Sequence, residues 1–264
     1  MRIALFDSGI GGISVLTEAV RQLPKEDFLY LADTLHVPYG SKPKEQVKQH
    51  ILEAMKLIVQ EPVKAVVIAC NTATSIAIEE LRSSMDIPVI GMEPSVKPAV
   101  EMSRSSGKRV LVLATPLTLR ENKYNELVHR VDDMSIVDSL PLPELVEYCE
   151  ALNFDPDEIK TYLRDKLSAY SLEQYGTVVL GCTHYPFYKR ILAELLPANT
   201  RLVDGSRGTV KRLKDILEQG SLLNEYGQGD VHFLCTSHDE AYIHKMKKAY
   251  QIFLAQIEEP SIPE

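Results

Sequence analysis

Short apolar runs alternate with stretches of helical periodicity along this chain. Residues 3–6, 28–32, 65–69, 87–91, 110–114, 178–181 and 231–234 have strand length, and several are apolar at consecutive rather than alternate positions. Such runs predict strands buried on both faces, as in parallel sheets covered by helices. Between them, Val47, Ile51, Ala54, Met55 and Ile58 fall on one helical stripe and Ile191, Leu192, Leu195 and Leu196 on another, each behind a proline suited to an early helical position. The pattern predicts an α/β protein with doubly wound, mainly parallel sheets.

The order of elements also repeats. Arg2-Ile3-Ala4-Leu5-Phe6-Asp7-Ser8 is followed later by Ala65-Val66-Val67-Ile68-Ala69-Cys70-Asn71-Thr72. In the same way Arg109-Val110-Leu111-Val112-Leu113-Ala114-Thr115 is followed by Thr177-Val178-Val179-Leu180-Gly181-Cys182-Thr183-His184. An internal duplication predicts two similar, pseudo-symmetric lobes. The first would comprise 1–96, with 205–264 packing back on it, and would carry Asp7 and Cys70; the second, 97–204, would carry Cys182 and His184. The cleft between the carboxyl ends of their strands is the expected ligand site.

With 264 residues, 45% apolar and 25% charged, the chain has the composition of a soluble globular protein that needs no disulfide staple. A net charge of −8 argues against nucleic acid or an anionic membrane as partner, and the Lys245-Met246-Lys247-Lys248 run reads as a solvated helix face. No signal-peptide pattern opens the sequence and no apolar run approaches the ~18 residues of a membrane span, so a cytoplasmic protein without a membrane partner is expected. In that compartment Cys70, Cys149, Cys182 and Cys235 are expected to be free thiols. His232, Cys235 and His238 have a loose metal-like spacing but no fourth ligand nearby, so no metal is expected.

The repeated cysteines carry the chemistry. Each lies where a strand gives way to a helix, a setting that favours thiolate, and each is followed by hydroxyl or amide side chains. Asp7, from the strand expected beside Cys70, and His184, two positions past Cys182, would be their proton-relaying partners. The glycine-rich loop Asp7-Ser8-Gly9-Ile10-Gly11-Gly12 offers free N–H groups but lacks the third glycine of a dinucleotide fingerprint and a Walker lysine. The turn Val37-Pro38-Tyr39-Gly40-Ser41 can present backbone donors and the Ser41 hydroxyl to a carboxylate. Two opposed thiols suit inversion of a stereocentre, with a base on one face and an acid on the other. The α-proton of an amino acid is less acidic than a thiol by about 12 pKa units. Without a Schiff-base lysine and phosphate cradle in the sequence, the carbanion would have to be stabilised by preorganised donors on the substrate carboxylate; Ser8, Asn71, Thr72, Thr115, Thr118 and Thr183 are suitable.

Asp7-Ser8-Gly9-Ile10-Gly11-Gly12, Pro38-Tyr39-Gly40, Cys70-Asn71-Thr72-Ala73, Glu93-Pro94 and Gly181-Cys182-Thr183-His184-Tyr185-Pro186, in this order and spacing, resemble the glutamate racemase family over nearly the whole chain. The resemblance implies a cofactor-independent isomerase that interconverts L- and D-glutamate to supply D-glutamate for peptidoglycan, acting as a homodimer. It implies that Cys70 and Cys182 are the catalytic acid/base pair, serving the D- and L-enantiomers respectively, and that Asp7 and His184 assist them. Glu147 is implied as a further acidic residue near the site. Ser8, Pro38, Tyr39, Gly40, Ser41, Asn71, Thr72, Thr115, Thr118 and Thr183 are implied as substrate contacts. Many members of that family carry arginine where this chain has His36. An aspartate racemase of the same superfamily and a non-catalytic two-lobed amino-acid-binding protein are the alternatives; His184, where aspartate-specific relatives carry an acidic residue, favours glutamate.

Overall fold

A computed structural model describes residues 1–104 and 106–258, so the last six residues of the expected first lobe lie outside it. Among the described residues nine strands form two sheets. In chain order they are β1 (Arg2–Asp7), β2 (Phe28–Ala32), β3 (Val63–Ile68), β4 (Val89–Gly91), β5 (Arg109–Ala114), β6 (Val137–Pro141), β7 (Tyr175–Leu180), β8 (Arg201–Asp204) and β9 (Val231–Cys235). One sheet has the order β4-β3-β1-β2-β9 and the other β6-β5-β7-β8, with every pairing parallel. The protein is therefore α/β with two parallel sheets, as the apolar runs predict.

The repeat reappears as topology. Read from the other edge, the second sheet runs β8-β7-β5-β6, which matches β4-β3-β1-β2 strand for strand, and β9 is an addition to the first. Even the irregularities correspond: the β1–β3 register shifts between Arg2 and Ile3, and the β5–β7 register between Arg109 and Val110. Phe6 pairs with Ile68 and Leu113 with Leu180, so Cys70 and Cys182 each stand two residues past equivalent strand positions.

Two strands escape the hydrophobic reading, β6 (VDSLP) and β8 (RLVD). Both lie at sheet edges and have only one well-buried residue each, so neither forms an apolar run. The expected strand at 87–91 shortens to Val89–Gly91; Pro88 brings no N–H, and its carbonyl accepts from Val66. One continuous buried cluster takes in Ile3 and Leu5 of the first sheet together with Leu111, Leu113 and Val178 of the second, so the halves share a core.

An ion pair closes the base of β3. Lys64 Nζ lies 2.6 Å from Glu26 Oε2 and 2.6 Å from the Leu222 carbonyl, and Asn224 N–H donates to Glu26 at 2.7 Å. Both side chains are buried. Lys64→Met should lower unfolding free energy by about 3 kcal/mol in urea titrations, because it strands a buried carboxylate, and adding Glu26→Leu should recover most of the loss.

Candidate active site

The carboxyl ends of β1, β3, β5 and β7 supply the side chains of one buried site. Cys70 caps the helix Asn71–Ser84: its Sγ accepts from Ala73 N–H at 3.4 Å, and it lies 3.9 Å from Ser8 Oγ. Burial, and next the Asp7 carboxylate, push its thiol far above the ordinary range, so Cys70 rests as S–H. Asp7 is fully buried, accepting from Gly9 N–H at 3.0 Å and from the Thr183 hydroxyl at 3.1 Å. Burial raises its pKa to about 6, against the lowering influence of His184 and of these two donors. It does not cap the following helix, whose cap residue is Gly12.

Cys182 has a different partner. Its Sγ is 3.7 Å from His184 Nδ1, and His184 Nε2 is 2.8 Å from Glu150 Oε1. Burial alone would lower the imidazole pKa, but hydrogen bonds and charge from Cys182 and Glu150 outweigh it and raise it to about 10. At neutral pH His184 is thus an imidazolium facing the Cys182 sulfur. Glu150 is held at about 2: burial opposes its charge, but His184, Lys245 and the Tyr242 hydroxyl together prevail.

The carboxylate beside the imidazole is Glu150 and not Glu147, which is exposed on the helix Glu144–Glu150. Leu145, Val146 and Cys149 form the inward stripe of that helix; Glu150 lies four residues from Val146, at the stripe's edge, whereas Glu147 faces away from it. The Val146 to Glu150 spacing was the available signal. Lys245 also departs from expectation. It is not a solvated side chain but donates to Glu150, while Met246 is buried and Lys247 and Lys248 are exposed.

Three hydroxyls join the two halves: Thr72 Oγ1 is 3.0 Å from both Thr115 Oγ1 and Thr118 Oγ1, which are 2.9 Å from each other. Asn71 Nδ2 donates to the Met92 carbonyl at 3.0 Å, leaving Oδ1 buried without a hydrogen-bond partner, so Asn71 offers the site an acceptor. Gly40 packs on Thr115 so closely that an added Cβ would come within 2.5 Å of the threonine Cβ. Of the surrounding turn, Tyr39 is buried with its hydroxyl donating to Asp33, Pro38 is half-buried and Ser41 is exposed. Gly11 is required for a similar reason: a Cβ there would meet His184 Nδ1 at 2.4 Å.

A sequence profile of the Asp/Glu/hydantoin racemases matches residues 13–213. The chain belongs to this family. A family member from Halothermothrix orenii named glutamate racemase is 52% identical over 234 residues, 88% of this chain and 92% of the relative. The racemase fold is also shared with two solved structures, each 29% identical to this chain. The Escherichia coli glutamate racemase in complex with L-glutamate and the activator UDP-MurNAc-ala gives a TM-score of 0.82, covering 94% of this chain and 95% of that one. The Francisella tularensis glutamate racemase in complex with D-glutamate gives 0.81, covering 96% and 93%.

Removing the Glu150 charge should release the imidazole. In Glu150→Gln the ring of His184, followed by NMR, should titrate well below its value of about 10, whereas Glu147→Gln should leave that titration in place.

Proposed function

We propose that this racemase interconverts L- and D-glutamate by proton transfer between two thiols, Cys70 and Cys182, with no organic cofactor. The observation that carries the reading is the contrast between the thiols. Cys70 is held as S–H by burial and by Asp7, while Cys182 faces an imidazolium fixed by Glu150. The resting enzyme is therefore poised with a base on one side and an acid on the other. Glutamate racemase relatives, and two solved structures that hold D-glutamate and L-glutamate respectively, support glutamate as the substrate.

Starting from L-glutamate, the Cys182 thiolate takes the α-proton and becomes a thiol, leaving the electron pair on Cα and, by delocalisation, on the α-carboxylate. The Cys70 thiol then gives its proton to the opposite face of Cα and becomes a thiolate. From D-glutamate the roles reverse: Cys70 first passes its proton to Asp7 and His184 gives one to Cys182, after which the Cys70 thiolate takes the α-proton and the Cys182 thiol delivers its own to the opposite face. Ser8, Thr72, Thr115, Thr118 and Thr183, with the backbone of the Pro38–Gly40 turn, would donate to the substrate carboxylates, and Ser41 would close the mouth. The buried acceptor Asn71 Oδ1 suits the α-ammonium group. Donors fixed before the substrate arrives need no reorganisation as charge develops, which is how such a site lowers the barrier to a weakly acidic proton.

The lobes of this reading are 1–96 with 205–264, and 97–204. The reading places the enzyme in the cytoplasm, as a homodimer making D-glutamate for peptidoglycan. The four buried free cysteines suit a reducing compartment, and no helix among the described residues is long and apolar enough to cross a membrane.

Incubation with L-glutamate in deuterated water tests the reaction. Racemisation should proceed with α-deuterium incorporation and be abolished by either Cys70→Ser or Cys182→Ser; racemisation of aspartate instead would overturn the substrate. The pH profile of kcat/KM should be bell-shaped. With D-glutamate it should rise through about 6 as Asp7 loses the proton that blocks it as an acceptor, and fall through about 10 as His184 loses the proton it gives to Cys182. Asp7→Asn should slow turnover of D-glutamate across the whole profile, because an amide cannot accept the Cys70 proton.

A further inference from the structure

Glu150 is gripped from behind by the helix Glu240–Glu258. Tyr242 donates its hydroxyl to Oε2, and Lys245 Nζ donates to Oε2 at 3.1 Å and to the Glu150 carbonyl at 2.7 Å. The same ammonium lies 3.9 Å from the centre of the Tyr242 ring, so the two side chains brace each other. Oε1 is engaged on the opposite side by His184 Nε2 at 2.8 Å and Ile10 N–H at 2.8 Å. With both oxygens held, the carboxyl plane cannot turn without breaking a charge-assisted hydrogen bond. Its orientation fixes the imidazole ring, whose other nitrogen faces Cys182. Among the described residues, neither Tyr242 nor Lys245 donates a hydrogen bond to Asp7, Ser8 or Cys70.

We propose that Tyr242 and Lys245 are positioning residues for proton transfer at Cys182 and not for proton transfer at Cys70. They act through Glu150, which sets the ring of His184, and among the described residues the thiol that His184 contacts is that of Cys182. The proposal rests on the two-thiol reading above. Its physical basis is the steep dependence of proton transfer on alignment: a ring free to rotate spends most of its time out of line with Sγ. The backbone carbonyl bond from Lys245 adds a second constraint, since it ties the end of the helix Glu144–Glu150 to the carboxy-terminal helix as well as the side chain.

The test uses the two single-thiol proteins. Cys70→Ser and Cys182→Ser are each incubated with L- and with D-glutamate in deuterated water, and each should exchange the α-proton of one enantiomer without inverting it. Lys245→Met is then added to both. Exchange through Cys182, in the Cys70→Ser protein, should slow by about tenfold, as expected for the loss of one charge-assisted hydrogen bond. Exchange through Cys70, in the Cys182→Ser protein, should change by less than about twofold. Tyr242→Phe keeps the ring's packing and should give the same one-sided slowing, which covers a Lys245→Met protein that does not fold. Lys245→Arg, with charge and donors retained, should restore most of the rate. Equal slowing in both backgrounds would mean a general loosening of the fold and would overturn the proposal, as would unchanged exchange in both. Parents that fail to exchange one enantiomer each would overturn the two-thiol reading, and the proposal with it.

Discussion

In the proposed reaction a thiol must shed its proton away from water and needs a positive charge beside it, a requirement that organises the site. His184 supplies the charge, but a buried imidazolium carries its own desolvation cost and is sustained by hydrogen bonds and charge from Cys182 and Glu150. Glu150 in turn draws on three segments: the glycine-rich loop through Ile10, the end of β7 through His184, and the carboxy-terminal helix through Tyr242 and Lys245, all meeting the helix that bears it. The loop can come this close because Gly11 has no side chain to strike the imidazole. Elements far apart in sequence are thus held in register by a chain of alternating charges.

The other thiol sits in a field of the opposite sign. Asp7 repels negative charge from Cys70, and burial reinforces it, so the cheaper form of that cysteine is the neutral one. Only a weak thiol contact to Ser8 and one backbone N–H favour its thiolate. Cys70 therefore holds its proton before any substrate binds. The Thr183 hydroxyl, donating to Asp7 across the halves, and the Thr72, Thr115 and Thr118 cluster fix the spacing between these unlike environments without adding charge of their own.

Much of this was legible in the sequence because burial on both faces leaves a plain mark. The central strands β1, β3, β5 and β7 are apolar runs, and the chemistry sits immediately after them, so Asp7, Cys70, Cys182 and His184 could be found by looking just past each run. Edge strands leave no such mark: Val137–Pro141 carries the polar residues Asp138 and Ser139 at its middle and reads as a loop. Glu150 was missed because helical phase, and not proximity in sequence, decides which acidic residue turns inward. Tyr242 and Lys245 were hidden for another reason. A lysine among lysines looks solvated until a tertiary partner is known, and that partner is nearly a hundred positions away, at |i−j| = 95.

The shared topology of the sheets makes their chemical differences interpretable position by position. By strand register, Asp7 of the first half corresponds to Ala114 of the second, and Thr72 corresponds to His184. Two identical repeats associating as a symmetric pair would place the same neighbours beside both cysteines, since a two-fold axis copies every residue. Both thiols would then share one affinity for protons, and neither hand of the substrate would meet a preset donor. Carrying both repeats on one polypeptide lifts that restriction: each copy can mutate alone, and the shared topology keeps a cysteine past each equivalent strand while the side chains around the two diverge.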